Sequence, residues 1–299
     1  MHFEGVFGPV VTNFHPATGE LDRESFATNV RAHLDAGMSG IVVTGSTGEA
    51  ALLDERERLA LVETARELIA SDKWLIVGTG AESTRTARRY ASLAAERGAD
   101  AVLVVAPHYY GAKAMTIGAL RAHYTAIADD CPVPVLLYNI PKYMHFALPP
   151  QLVAELAKHE NIVGIKDSSG DLELLSGYLQ SQSETFSVLT GNGQTFKRAV
   201  ELGARGGILA VSLFAAALAL EVYSALAEGN AAAATQAQER LTPLSARIVG
   251  EMGVPGVKAA LDRVGLRGGP VRPPLVSLGS TEIADVRELL RVAELSHAA

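Results

Sequence analysis

Cysteines, paired histidines and basic stretches are scarce in this chain, and each shortage excludes a class of protein. The single cysteine, Cys131, excludes an internal disulfide and a cysteine-based zinc site, and we expect it to be a buried bystander. The 8 histidines show no His-x-His or His-Glu-x-x-His pattern, so no metal site is expected. The net charge of -7, without a basic stripe, argues against nucleic acid as a partner.

The chain also lacks the marks of export and of membrane insertion. Its first residues have neither the basic stretch nor the apolar core of a signal peptide, so a cytoplasmic location is expected. The apolar run from Ile208 to Ala227 approaches the length of a membrane span, roughly 20 residues. We interpret it as a strand followed by an Ala-rich helix, because it contains Ser212, Glu221 and Ser224. No membrane partner is therefore expected.

Short apolar runs alternate with amphipathic stretches along the chain. Continuous Val/Ile/Leu runs are typical of parallel strands buried on both faces, and a closed (β/α)₈ TIM barrel takes roughly 250 residues. The sequence therefore predicts an α/β fold of this kind. The predicted strands are Val6–Phe14, Gly40–Val43, Trp74–Gly78, Ala101–Ala106, Val133–Tyr138, Ile162–Lys166, Val188–Thr190 and Gly207–Val211.

Helical periodicity and capping residues mark the stretches between these strands. Helices are predicted over Asp22–Ala36, Asp54–Ile69 and Ser83–Arg97, with Asp54 and Glu57 placed to form a capping box. The βα units fill residues 1–229. Residues 230–299 predict a C-terminal helical region with breaks around Gly253–Gly256 and Gly268–Pro270.

The ends of the barrel strands are where reactive side chains are expected. Lys166 ends strand 6 after a largely apolar run, and burial among apolar side chains frees an amine to attack a carbonyl. The alternative is a structural lysine that pairs with Asp167 or Asp171. Tyr138 ends strand 5, where its phenol is either a proton relay or a core hydroxyl.

Two further strand ends carry groups that suit an acidic ligand. Gly45-Ser46-Thr47-Gly48 after strand 2 is a tight turn of amides and hydroxyls, which suits a carboxylate but also suits a plain loop. Gly191 after strand 7 permits close approach of a ligand or merely serves its turn. No Gly-x-Gly-x-x-Gly follows a strand, which argues against a dinucleotide; no cofactor is expected.

Three motifs in this order and spacing resemble the dihydrodipicolinate synthase / N-acetylneuraminate lyase family. They are Gly45-Ser-Thr-Gly-Glu49, Tyr138-Asn-Ile-Pro141 and Gly164-Ile-Lys166-Asp-Ser-Ser-Gly170. The resemblance covers nearly the whole chain. It implies a lyase that joins a lysine to a 2-oxo acid, pyruvate, as a Schiff base, and it implies a homo-oligomer, a tetramer or a dimer.

The resemblance also implies a role for each residue that matches. Lys166 would form the Schiff base, Tyr138 would shuttle the proton and Ser46 would extend the hydroxyl relay. Tyr109 matches a tyrosine that enters the neighbouring subunit's site in the family's synthases. The pyruvyl group and its carboxylate would be held by Thr47, Gly48, Gly191 and Leu209.

One departure bears on the second substrate. The family's synthases carry an arginine two residues after Tyr-x-x-Pro, where it grips the carboxylate of aspartate semialdehyde. Tyr143 takes that place here and supplies no charged bidentate clamp, while Lys142 is a point charge at a shifted position. We therefore place Tyr143 among the substrate-binding residues and expect the semialdehyde to be a poor substrate.

The C-terminal runs Gly253–Lys258 and Gly268–Pro270 are similar to those of 4-hydroxy-2-oxoglutarate aldolases, as are Glu82–Thr84 and His123-Tyr124. Those enzymes also lack the arginine. We therefore predict cleavage of a 4-hydroxy-2-oxo acid to pyruvate and an aldehyde, or the reverse condensation. The alternatives are a 4-hydroxy-tetrahydrodipicolinate synthase, a non-catalytic barrel that binds a small acid, and a barrel that binds flavin or phosphate.

Overall fold

The computed structural model describes residues 3–295, and within them eight parallel strands close into a barrel in chain order. β1 pairs with β2 on one side and with β8 on the other, which closes the ring. The predicted TIM barrel is therefore confirmed. The strands are β1 Gly5–Pro9, β2 Gly40–Val43, β3 Trp74–Gly78, β4 Ala101–Val105, β5 Val135–Asn139, β6 Ile162–Asp167, β7 Ser187–Thr190 and β8 Gly206–Ile208.

Helices connect successive strands and cover the outside of the barrel, as parallel pairing requires. Those of the barrel are α1 Arg23–Asp35, α2 Glu55–Arg66, α3 Thr84–Glu96, α4 Gly111–Ala114, α5 Ile117–Asp130, α6 Pro141–Met144, α7 Pro150–Leu156, α8 Leu172–Leu179, α9 Phe196–Glu201 and α10 Ala216–Ala227. The predicted capping box of α2 is present, with Asp54 and Glu57 bonded reciprocally. Ser83 caps α3, and Cys131 is buried at the end of α5.

The two strands that flank the closure are shorter than predicted. β1 ends at Pro9. Beyond it the Thr12 hydroxyl donates to the Gly48 carbonyl (2.6 Å) and Phe14 forms an antiparallel bridge with Leu21. The apolar residues Val10, Val11 and Phe14 are buried, but they lie in a loop. β8 ends at Ile208, and Ala210–Leu213 forms a 3₁₀ turn.

A helical region follows the barrel, with α11 Ala231–Pro243, a π-helix Leu244–Glu251, α12 Gly253–Arg263 and α13 Ser280–Val292. The predicted helix break at Gly253–Gly256 is longer than the observed one, because α12 already begins at Gly253. Only Gly253 has a left-handed backbone (φ 66°), and Pro255 and Gly256 lie in the first turn of α12, where proline loses no helical hydrogen bond. The chain is non-helical around Gly268–Pro270, as predicted. Residues 296–299 lie outside the described part.

Among residues 3–295, none of the helices combines the length and the apolar character that crossing a membrane requires. The longest apolar segment of the sequence is divided between β8, the 3₁₀ turn and α10. The carboxyl ends of all eight strands open on one face of the barrel, and the loops there carry the predicted site residues.

Candidate active site

Lys166 and Tyr138 lie side by side at this face of the barrel. They are register partners on the neighbouring strands β6 and β5. Both are buried, and the Lys166 Nζ lies over the Tyr138 ring, 4.3 Å from its centroid. Equivalent positions on adjacent parallel strands point to the same side of the sheet, so the register brings the amine and the phenol together.

Within the part of the chain that the structure describes, Lys166 has no acidic partner. Among residues 3–295, no carboxylate oxygen lies within 4.0 Å of its Nζ. Asp167, on the opposite face of the strand, accepts hydrogen bonds from the Asn139 amide (2.7 Å) and the Ser169 hydroxyl (2.7 Å). Burial raises the pKa of Asp167, and these hydrogen bonds oppose the increase.

Asp171, the other acid considered from the sequence, is bound elsewhere. Its carboxylate caps α8 by accepting the backbone N–H groups of Glu173 and Leu174. The alternative of a structural, salt-bridged lysine at Lys166 therefore has no support in the geometry. What remains at position 166 is a buried amine in contact with an aromatic face.

The turn after β2 is folded tightly at the same face. The Glu49 N–H donates to the Ser46 carbonyl (3.1 Å) and the Ala50 N–H donates to the Gly45 carbonyl (3.3 Å). Ser46 and Thr47 are half-buried, and within the described chain neither side-chain hydroxyl forms a hydrogen bond with another residue. The turn thus presents two uncommitted hydroxyls, a supply of donors that suits an acidic ligand.

Gly191 follows β7 and touches the lysine. A Cβ at this position would stand 2.7 Å from the Lys166 Cε and 1.9 Å from the Ser168 Oγ, so no larger residue fits without displacing the lysine. Leu209, which follows β8, is fully buried. Gly191 therefore leaves the space at the amine open, whereas Leu209 belongs to the apolar surroundings.

Tyr143 lies in α6, close to the phenol of Tyr138. Tyr143 is 41% exposed, but partial burial of its phenol raises its pKa, and the nearby Tyr138 phenol raises it further. The neighbouring Lys142 Nζ donates to the Gly250 carbonyl of the π-helix at 2.8 Å. Tyr143 is thus the residue that α6 places beside the reactive pair, and Lys142 is engaged with the C-terminal region.

Tyr109 is not enclosed by its own chain. It is 79% exposed and packs edge to face against Tyr110, which is 73% exposed. The Glu82 carboxylate accepts the backbone N–H groups of His108 and Tyr109, both at 2.9 Å, and so holds their loop. The sequence did not predict that Glu82 fixes this loop, because a hydrogen bond to a backbone distant in sequence leaves no local sequence signal.

The sequence also did not predict a role for the pair Glu49 and Lys258, although Glu49 ends the motif Gly45–Glu49 and Lys258 ends the run Gly253–Lys258. Glu49 directly follows the β2 turn, and its buried carboxylate forms an ion pair with the buried Lys258 of α12 at 2.5 Å. The available signal was a charged residue after a glycine turn in an otherwise apolar region.

The sequence matches the model of the dihydrodipicolinate synthetase family over residues 2–293. A curated relative, the 4-hydroxy-tetrahydrodipicolinate synthase of Methanospirillum hungatei JF-1, is 34% identical over 291 residues, which cover 96% of this chain and 98% of that protein.

Solved structures agree in fold. Dihydrodipicolinate synthase from Thermotoga maritima superposes with a TM-score of 0.92 at 30% identity, covering 98% of this chain and 99% of that one. YagE, a prophage protein of E. coli K12 from the dihydrodipicolinic acid synthase family, was solved in complex with pyruvate. It has a TM-score of 0.92 at 28% identity, with coverage of 98% and 99%.

Proposed function

Because this chain belongs to the dihydrodipicolinate synthetase family and is a carbon–carbon lyase of the class I aldolase type, we propose that Lys166 forms a Schiff base with pyruvate. The observation that carries the proposal is the buried Lys166 amine, which lies over the Tyr138 ring and has no acidic partner among the described residues 3–295. Burying an ammonium without a counterion is costly, and an amine kept in the neutral form is the nucleophile that a Schiff base requires.

The proposed cleavage begins with attack of the neutral Lys166 amine on the 2-oxo carbon. The carbinolamine hydroxyl takes the proton of the Tyr138 phenol and leaves as water, which gives a protonated imine and a Tyr138 phenolate. Tyr138, as the phenolate, takes the proton of the C4 hydroxyl; the C3–C4 bond breaks, and its electron pair moves into the imine to give an enamine. The aldehyde departs and the Tyr138 phenol protonates C3 of the enamine. Water then attacks the imine carbon and releases pyruvate and the Lys166 amine, while the Tyr138 phenolate takes up the proton that is lost.

The turn after β2 binds the carboxylate of the 2-oxo acid in this scheme. Ser46 and Thr47 carry the two uncommitted hydroxyls, and the backbone N–H groups of Thr47 and Gly48 add further donors. Ser46 also extends the relay that starts at Tyr138. Gly191 keeps the space beside the lysine clear, and Leu209 completes the apolar wall. The carboxylate is thus fixed while the carbonyl faces the amine.

For the second substrate, the geometry favours cleavage of a 4-hydroxy-2-oxo acid. Tyr143 occupies the place where the synthases carry an arginine. Lys142 does not replace that cation, since its Nζ is bonded to the Gly250 carbonyl. A phenol at this position suits a hydroxyl or carbonyl oxygen better than the carboxylate of aspartate semialdehyde, which calls for a charged bidentate donor.

The second candidate is synthesis of 4-hydroxy-tetrahydrodipicolinate from pyruvate and aspartate semialdehyde. The curated relatives favour it over the cleavage reaction, since those at 33–34% identity carry the synthase name. Both candidates use Lys166 and Tyr138 in the same way. They differ only in how α6 receives the second carbonyl compound.

Comparison of kcat/KM for the two reactions on one preparation distinguishes the candidates. We expect cleavage of 4-hydroxy-2-oxo acids, followed by pyruvate release, to exceed condensation with aspartate semialdehyde. Tyr143→Arg should shift the ratio toward condensation, because it restores the bidentate clamp. A wild-type preference for the semialdehyde would establish the synthase as the function.

Tyr109 fits the proposal only if it acts between subunits. Its phenol is exposed in its own chain, and Glu82 holds the loop that carries it. We therefore propose a homo-oligomer, a dimer or a tetramer, in which Tyr109 of one subunit completes the proton relay of the next.

A further inference from the structure

A buried ion pair joins the turn after β2 to the C-terminal region. The Glu49 side chain is fully buried and that of Lys258 is 2% exposed, with 2.5 Å between Glu49 Oε1 and Lys258 Nζ. Glu49 directly follows Gly48, and Lys258 lies in the middle of α12. The pair therefore connects a loop of the barrel mouth to a helix that is distant in sequence.

Both charges have further partners, all contributed by the loop after β1 or by the segment after α12. The second oxygen of Glu49 accepts the backbone N–H of Arg272 at 2.8 Å. The Lys258 ammonium donates to the Pro270 carbonyl at 2.6 Å and lies 4.7 Å from the centre of the Phe14 ring. Burial lowers the pKa of Lys258, and the charge of Glu49 opposes the decrease.

A pair buried this deeply needs a reason other than stability. The desolvation cost of two buried charges is often as large as their attraction, and apolar residues of similar volume stabilise a fold equally well. A charge pair with directed hydrogen bonds does, however, fix the positions of its backbones.

The backbone at both ends of the turn after β2 has an unusual conformation that needs to be held in place. Thr44 and Glu49, one at each end, both have left-handed backbones, with φ of 51° and 55°. Residues other than glycine adopt this conformation only where their surroundings hold them. The Thr44 hydroxyl is held by the Gly78 carbonyl at 2.9 Å, and Glu49 is held through Lys258.

We propose that the Glu49–Lys258 pair positions the Ser46-Thr47-Gly48 turn for the carboxylate of the 2-oxo acid. Neither residue touches the substrate; both act through the turn. This inference rests on the proposed function. It assigns the C-terminal region a part in substrate binding, because α12 supplies the anchor for a loop of the barrel.

Two variants test the pair. Glu49→Gln keeps the size and one acceptor oxygen, removes the charge and replaces the second acceptor oxygen with an amide N–H₂ donor. The double variant Glu49→Gln/Lys258→Met removes both charges, so no unpaired charge stays buried and folding should survive. Arg66→Met is the control, since it removes an ion pair with Asp100 (3.0 Å) at the opposite end of the barrel.

The readout is borohydride trapping on Lys166 as a function of pyruvate concentration. We expect the half-saturating concentration to rise roughly tenfold to a hundredfold in both test variants, as for a misplaced positioning group, with less change at saturation. Arg66→Met should keep the wild-type value. Unchanged half-saturation in both test variants would overturn the proposal.

Trapping of acetone, a carbonyl compound without a carboxylate, separates positioning from general damage. If the pair positions the carboxylate-binding turn, the ratio of trapping with pyruvate to trapping with acetone falls in both variants. Equal losses for the two compounds would mean that the pair is merely structural. Absence of a pyruvate adduct in the wild type would instead refute the proposed function, so the two failures are distinguishable.

Discussion

The Nζ of Lys166 lies 4.3 Å from the centre of the Tyr138 ring, and the two residues are register partners on adjacent strands. The ring and the hydroxyl of Tyr138 are therefore expected to have separate roles. The ring contacts the lysine amine, and in the mechanism that we propose the hydroxyl transfers the proton. Each part is separately testable, because phenylalanine keeps the ring and lacks the hydroxyl.

Tyr138→Phe should reduce kcat by roughly 10²–10⁴-fold, the usual contribution of a general acid–base group. Schiff-base trapping should persist, though more slowly, since Lys166 keeps its support. Steady-state turnover and borohydride trapping on the same preparation measure the two effects. The matched control is Tyr178→Phe, which removes a buried hydroxyl that donates to the Leu148 carbonyl (2.6 Å), and it should affect stability alone. A Tyr138→Phe enzyme within a few-fold of wild type would exclude the relay.

Gly191→Ala should impair formation of the Schiff base, because its Cβ would meet the Lys166 Cε at 2.7 Å. We expect the trapping rate to fall by about tenfold to a hundredfold as the amine is displaced. Gly118→Ala is the control: it lies in α5 with open space around it, and alanine should stabilise that helix by roughly 0.5–1 kcal/mol. Trapping at the wild-type rate in Gly191→Ala would mean that this glycine does not define the space at the lysine.

Tyr109 is expected to act in the neighbouring subunit's site. Lys166→Ala and Tyr109→Phe should each be strongly impaired alone. When subunits exchange between the two variants, some sites receive Lys166 from one chain and Tyr109 from the other, so activity should partly return. Mass measurement of mixed oligomers confirms the exchange. If subunits exchange and the activity of the mixture equals the sum of the activities of the two separate variants, Tyr109 does not act in the neighbouring subunit's site.

Stability should decrease in mild acid because of His33. Burial lowers the pKa of His33 to about 4, while the unfolded chain takes up the proton near 6.5. Between these values the unfolded state binds more protons, so the free energy of unfolding falls as the pH drops, and the part due to His33 is about 2 kcal/mol between pH 8 and pH 5. His123, whose pKa burial also lowers to about 4, acts in the same direction. Chemical denaturation at both pH values measures the difference. It should shrink in His33→Gln, and an unchanged difference would assign the pH dependence to other groups.

The sequence predicts those features that depend on local residues or on chain order. The capping box of Asp54 and Glu57 is local, and its periodic helix follows directly. The proximity of Tyr138 and Lys166 follows from chain order, because consecutive parallel strands are neighbours and both residues end their strands.

Features that depend on distant partners could not be predicted. Val10–Phe14 is apolar enough for a strand, but its residues are buried as a loop beneath the C-terminal segment. The Glu49–Lys258 pair joins residues far apart in sequence, and neither residue carries a local mark of the other. Tyr109 is 79% exposed in its own chain, so neither the sequence nor one subunit shows what it contacts in the oligomer that we propose.

Covalent trapping with pyruvate tests the central claim most directly. Borohydride reduces an imine to a stable amine, so digestion and mass spectrometry should find a reduced pyruvyl group on Lys166 and on no other lysine. Lys166→Ala should abolish the adduct while the protein remains folded. An adduct that survives this substitution, or a wild-type protein that acquires none at saturating pyruvate, would contradict the Schiff-base mechanism.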